Sequence, residues 1–251
     1  MPADELITDN PVLVEADGRT FDGYLAHPAQ GAGAGLIVIT EMWGTTKLNR
    51  DMAESYARRG WCALVPSMFW RAERPGSLAA DGAELDAAWA RLRGYDFERG
   101  AQDVRTAADW LRQQPFCSGK IAAIGFCMGG RTAFLACTRA GLDAAVAVYA
   151  LGIRHHLDEV ARIACPLQLH YGLADVHIPR SEIDEVMAAT RANGRIETRL
   201  YAGAGHGFFN PLRPAYDAAA VALAKRRIDA LLDALQRPLG LGEGEGADSG
   251  V

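Results

Sequence analysis

Apolar and polar positions along this chain fall into two alternating rhythms. Short unbroken apolar runs occur at Leu36-Ile-Val-Ile39, Trp61–Val65, Ile121–Ile124 and, directly after Asp143, up to Tyr149, and Pro166–Tyr171 follows as a further strand. Runs of this length without polar interruption read as strands covered on both faces. Between them lie stretches with helical spacing. Lys47 to Arg59 carries Leu48, Met52 and Tyr56 four apart and closes at Gly60, while residues 82–93, 97–113, 180–192 and 215–236 repeat the pattern. The last of these sets Val221, Ala224, Ile228, Leu231, Leu232 and Leu235 on one stripe. Arg195 to Tyr201 alternates as a half-buried strand, and residues 11–27 read as a hairpin turning at Asp17-Gly18. Strands alternating with helices predict an α/β fold. Its sheet is mostly parallel, of about eight strands, with five or six helices on both faces.

Three stretches stand outside the rhythm. Gly-Ala-Gly-Ala-Gly at 31–35 precedes a strand, whereas a dinucleotide-binding loop follows one, so it reads as a flexible connection. Residues 66–80 combine aromatics with arginine in a long loop, the content of a site wall or lid. Residues 238–251 are Gly-rich and acidic, a composition that predicts disorder. One domain over 1–237 is expected, as a monomer or small homo-oligomer.

Composition narrows the function. Net charge is −5, with no basic run, which argues against a nucleic-acid partner. No apolar run approaches the roughly 18 residues of a membrane span, and residues 1–10 are too acidic for a signal peptide. The five cysteines are odd in number, widely spaced and without C-x-x-C, which argues for reduced thiols in a cytoplasm and against a zinc site or other metal. No cofactor is expected.

The chemistry centres on Gly125-Phe-Cys127-Met-Gly129, set between an apolar strand and a helix. This is a nucleophile elbow with cysteine where serine is usual. Glycines two positions either side leave room for the strained turn, and the following helix aims its first N–H groups at the sulfur. Four loops leave the carboxyl ends of predicted strands with reactive residues: Glu41, Cys127, Asp175 and His206. The last three follow the order nucleophile, acid, histidine of α/β-hydrolases. His206 is expected to take the thiol proton and Asp175 to orient the imidazole. His177 is the rival histidine, two residues from Asp175. His155 and His156 read as solvated residues at a helix start.

Together these residues resemble the dienelactone hydrolase (carboxymethylenebutenolidase) family. The likeness rests on Thr40-Glu-Met-Trp-Gly44, Tyr95-Asp-Phe-Glu98, Gly125-Phe-Cys-Met-Gly-Gly130, Gly172-x-x-Asp175 and Gly205-His-Gly-Phe208. It implies an α/β-hydrolase fold and a Cys-His-Asp triad opening small lactones or esters. It also implies that Glu41 holds the resting thiol protonated, since a nearby anion disfavours thiolate. The oxyanion hole is expected from the backbone N–H groups of Met42 and Met128. The family grips a substrate carboxylate with two arginines, and here Leu85 and Asn210 stand at those places. Arg71, Arg74 or Arg213 could supply the charge from nearby loops. Candidate substrate-binding residues are therefore Trp43, Arg71, Trp89, Tyr149, Phe208 and Asn210. Trp43, Phe69, Trp70, Trp89 and Tyr149 fit pocket walls, although core is the commoner place for aromatics. Two competing readings are an esterase of altered specificity and a thiol or binding protein on the same scaffold.

Overall fold

The computed structural model describes residues 5–79 and 83–236. Nine strands form its sheet: β1 (Leu6–Asp9), β2 (Val12–Val14), β3 (Thr20–Pro28), β4 (Gly33–Ile39), β5 (Cys62–Pro66), β6 (Cys117–Phe126), β7 (Ala144–Val148), β8 (Leu167–Gly172) and β9 (Ile196–Tyr201). The order is β1-β3-β5-β4-β6-β7-β8-β9, with β2 paired to β3. Pairings of β1, β2 and β3, including β3 with β5, are antiparallel; all others, from β5 through β9, are parallel. The expected hairpin is β2–β3, with Val14 opposite Thr20 and Gly18 at φ +83° in its turn.

Among the described residues six α-helices accompany the strands: α1 (Lys47–Ala57), α2 (Leu85–Arg93), α3 (Phe97–Arg112), α4 (Met128–Arg139), α5 (Arg180–Thr190) and α6 (Ala218–Gln236). A 3-10 helix spans Ile153–Arg162. α3 and α4 pack together over β4 and β6, while Arg59, just past α1, ties the chain to α6 through Asp229 and Asp233. Strands β4, β5, β7 and β8 are buried along their whole length, as cover on both faces requires. Each large aliphatic among them, such as Ile37 or Leu64, gains about 1.5–3 kcal/mol from burial.

Two expectations change. Gly33 and Gly35 belong to β4 and are not a flexible connection. A Cβ on Gly33 would lie 1.7 Å from the Gly60 carbonyl oxygen, and one on Gly35 2.5 Å from Ile121, so the glycines exist for close packing. His156 is half-buried instead of solvated: Arg131 Nε donates to its Nε2 at 2.9 Å. The predicted disorder of 238–251 lies outside the described residues.

Candidate active site

Because β4, β6, β7, β8 and β9 run parallel, their carboxyl ends open on one edge of the sheet. The residues that follow those ends are Glu41, Cys127, Tyr149, Asp175 and His206. Topology alone therefore assembles what the sequence scatters.

Cys127 sits between β6 and α4 with φ 56° and ψ −120°, and is only 5% exposed. Its own N–H is tied to the Val148 carbonyl at 3.0 Å, which holds the strained turn. The glycine requirement is steric. A Cβ on Gly125 would lie 2.0 Å from the Gly129 carbonyl oxygen, and one on Gly129 2.5 Å from that of Ile39. Met128 is the first residue of α4, so its N–H lacks an intrahelical acceptor and faces the nucleophile's end of the helix.

Asp175 is withdrawn from water, and both its oxygens are used. Oδ1 accepts the backbone N–H of His177 at 2.8 Å and Ile178 at 3.1 Å. Oδ2 lies 2.8 Å from His206 Nδ1. Burial disfavours the His206 cation, but hydrogen bonds to Asp175 and Cys127 and their charges outweigh it and raise its pKa to about 10. One imidazole thus reaches the acid and the sulfur. His177 is exposed and lies edge-on to His206, ring centroids 5.0 Å apart, while Trp89 packs 6.0 Å from His177. The structure pairs Asp175 with His206 and leaves His177 as a lip.

Glu41 lies beside this group. Burial raises its carboxyl pKa, while the charge of His206, a hydrogen bond from Tyr149 and the charge of Arg213 oppose the rise. Tyr149 holds an unusual backbone, φ 38°, and its ring stands 5.1 Å from that of His206. Burial, a hydrogen bond and charge from Glu41, and the charge of Cys127 all push its phenol pKa upward. Sequence reading took Tyr149 for a wall; its role as the link to Glu41 needed the fold.

A cavity of about 360 Å³ adjoins these groups, lined by Glu41, Trp43, Leu78, Phe126, Tyr149, Phe209, Asn210 and Leu212 among others. Asn210 is 5% exposed and its Oδ1 accepts the Leu212 N–H at 2.9 Å. Phe209, Leu212 and Asn49 were not anticipated, since no spacing marks a loop residue as facing a cavity. Phe208 is corrected: it is fully buried behind Tyr149, ring centroids 5.5 Å apart, and does not line the cavity.

Arg71 is corrected as well. Its guanidinium binds both Asp103 oxygens, at 2.6 and 2.8 Å, and also Glu15, away from the cavity. Trp70 donates to Asp103 and stacks on Phe21, and Phe69 packs on Tyr95, so both belong to the core. Arg74 is exposed and bound to Glu84. Leu85 is 39% exposed at the start of α2. Of the arginines considered, only Arg213 approaches the site, 5.1 Å from the Trp43 ring.

Among the described residues no cluster of three or more acids, histidines and cysteines could hold a metal, and no helix is long and apolar enough to cross a membrane. Residues 21–235 match the dienelactone hydrolase family. The chain is 28% identical to a carboxymethylenebutenolidase of Pseudomonas putida, over 90% of this chain and 97% of that one. Carboxymethylenebutenolidase 1 of Cupriavidus pinatubonensis is 26% identical over 93% and 100% of the two chains. A dienelactone hydrolase-like promiscuous phosphotriesterase from metagenomic libraries superposes with a TM-score of 0.75 at 25% identity, covering 92% of this chain and 98% of that one. Dienelactone hydrolase from Anabaena variabilis has the same fold, with a TM-score of 0.69 at 17% identity over 92% and 99% of the chains. With strand order, elbow and family match in agreement, the chain belongs to the dienelactone hydrolase family and is a hydrolase of the α/β-hydrolase fold.

Proposed function

We propose that this hydrolase opens small lactones or esters through Cys127, His206 and Asp175. One observation carries the proposal: His206 Nδ1 lies 2.8 Å from Asp175 Oδ2, and the same imidazole feels the Cys127 sulfur, which helps raise its pKa. His206 takes the Cys127 thiol proton, and the thiolate attacks the substrate carbonyl, forming an S–C bond and an oxyanion held by the Met42 and Met128 N–H groups. The oxyanion collapses, His206 passes its proton to the departing alkoxide, and a thioester remains. Water, deprotonated by His206, then attacks that thioester and releases the acid and the thiol. Glu41 sets the resting state: a carboxylate beside the site opposes a second anion on Cys127. Asp175 keeps the imidazole oriented throughout.

The substrate class follows from the cavity's charge. Its described lining includes Glu41 and Lys47 but no arginine, and Lys47 is bound to Asp51. A carboxylate-bearing lactone would meet no bidentate partner there, so neutral esters and lactones fit better. This favours a carboxylesterase of altered specificity within the family over a strict dienelactone hydrolase. Steady-state turnover of matched lactones and esters, with and without a carboxylate, tests both points. Absence of hydrolysis by the wild type across that series would reject the function.

A further inference from the structure

Arg91, on α2, is a buried arginine near the site, and its environment is unusual for a cation. It is 9% exposed and its guanidinium lies 4.1 Å above the Phe69 ring. Among the described residues no carboxylate pairs with it; Glu84, whose charge it feels, is bound by Arg74. Its hydrogen bonds go to backbone instead. Nε donates to the Met42 carbonyl at 2.6 Å and Nη1 to the Gly76 carbonyl at 2.8 Å, while Nη2 has no partner. Burial lowers its pKa to about 10, the mark of a desolvated cation.

A buried cation without a counter-ion is expensive, and Met or Leu would fill the same space without the charge. What an apolar residue could not do is bridge two carbonyls. The bridged segments are those that shape the site. Residues 42–44 leave β4 and carry Met42 and Trp43, and residues 76–79 form the facing cavity wall. A second tie, the Leu78 N–H to the Trp43 carbonyl at 2.8 Å, joins the same two segments. Gly44 permits the approach: its φ is +75°, and a Cβ there would lie 2.6 Å from the Gly76 carbonyl and 3.2 Å from Arg91 Nη2.

We propose that Arg91 is a positioning residue for the oxyanion-binding N–H of Met42, an inference that rests on the function proposed above. By fixing the Met42 carbonyl it restrains rotation of that residue, so the N–H stays aimed at the reacting carbonyl. Misplacing such a donor by about 1 Å costs on the order of 10²-fold in rate.

The test separates oxyanion chemistry from thiol reactivity. Ester hydrolysis forms an oxyanion, whereas alkylation of Cys127 by iodoacetamide displaces iodide and forms none. Arg91→Met should lower kcat for a neutral ester about 30- to 100-fold, leave KM within about threefold, and leave the alkylation rate within about twofold. Methylguanidinium added to Arg91→Ala should restore part of kcat. Arg91→Lys, which retains the cation but cannot span both carbonyls, should show the same separation and serves if Arg91→Met is poorly folded. Equal falls in kcat and alkylation rate in Arg91→Lys, or an unchanged kcat in any folded variant, would overturn the assignment. Failure of the underlying reading looks different: Cys127→Ala with Arg91 intact would then retain turnover.

Discussion

Two of the places where this molecule buries charge, the Arg71 cluster and the surroundings of Cys127, resolve it in opposite ways. Around Arg71, burial raises the Asp103 carboxyl pKa to about 6, against the bonds that Arg71 and Trp70 supply. Glu15 and Asp103 share that one guanidinium, and the cluster binds loop 66–79 to α3 and the β2–β3 hairpin. The charges there face one another. Around Cys127, among the described residues Glu41 has no cation bound to it, only Tyr149's hydroxyl and the fields of His206 and Arg213, and a cavity opens beside it. A satisfied cluster is a clamp; an unsatisfied one beside a cavity is a place for chemistry. The contrast also explains why arginine content alone misleads, since Arg71's two terminal nitrogens already hold Asp103 and Glu15.

The largest expected effect sits at the nucleophile. Cys127→Ala should abolish ester turnover while leaving the thermal midpoint near that of the wild type, because one small sulfur contributes little packing. Full activity in the folded variant would remove the distinction between the two regions.

Next come the partners of the sulfur. His206→Ala should lower kcat by at least about 10³-fold, Asp175→Asn somewhat less, and His177→Ala far less. A greater loss from His177→Ala would show that the exposed lip is the base. The same histidine has a stability signature. Its folded pKa of about 10 lies above the ordinary 6.5, so the native state keeps a proton that the unfolded chain releases. That contribution is complete below about pH 6.5 and is lost as pH rises through 10. Urea midpoints between pH 6 and 10 should fall less in His206→Gln than in the wild type.

The Arg71 cluster should behave in reverse. Asp103→Ala strips two hydrogen bonds from a partly buried guanidinium and should destabilise the fold by about 3 kcal/mol, read by urea unfolding. Ester kcat at a temperature where the variant is folded should change by less than about twofold. A large kcat loss in folded protein would join the two regions into one site.

Smaller effects sharpen the role of Glu41 and of the free arginine. Glu41→Gln removes the anion and keeps the shape, so Cys127 alkylation at neutral pH should accelerate about tenfold or less. An unchanged rate would put the gating elsewhere. The acid-over-neutral substrate preference in kcat/KM should stay below roughly 100-fold, about 2.7 kcal/mol. Arg71→Ala and Arg74→Ala should not move it. If Arg213→Ala alone erased a larger preference, Arg213 would be the carboxylate partner.

Much of this was legible in one dimension. Strand and helix periods, the Gly-x-Cys-x-Gly turn and the order Cys127, Asp175, His206 are local patterns, and local sterics impose them. Gly125 is required by the turn itself, because its Cβ would strike the Gly129 carbonyl, whereas the Gly129 Cβ would strike that of Ile39 on the neighbouring strand. Gly33 and Gly35 misled for a related reason. Their close neighbours, Gly60 and Ile121, are distant in sequence, so freedom and tight packing look alike until the chain is folded.

By itself, then, the sequence determined the fold class, the elbow and the candidate triad, since each rests on backbone geometry and short-range spacing. Only the tertiary structure decided where charges go. It gave His206 instead of His177 to Asp175, spent Arg71 on Asp103, buried Phe208, joined Tyr149 to Glu41, and set Arg91 against the Met42 carbonyl. The physical reason is that Coulomb and hydrogen-bond energies depend on separation and burial. Residues far apart in the chain acquire both only when parallel strands bring their ends together.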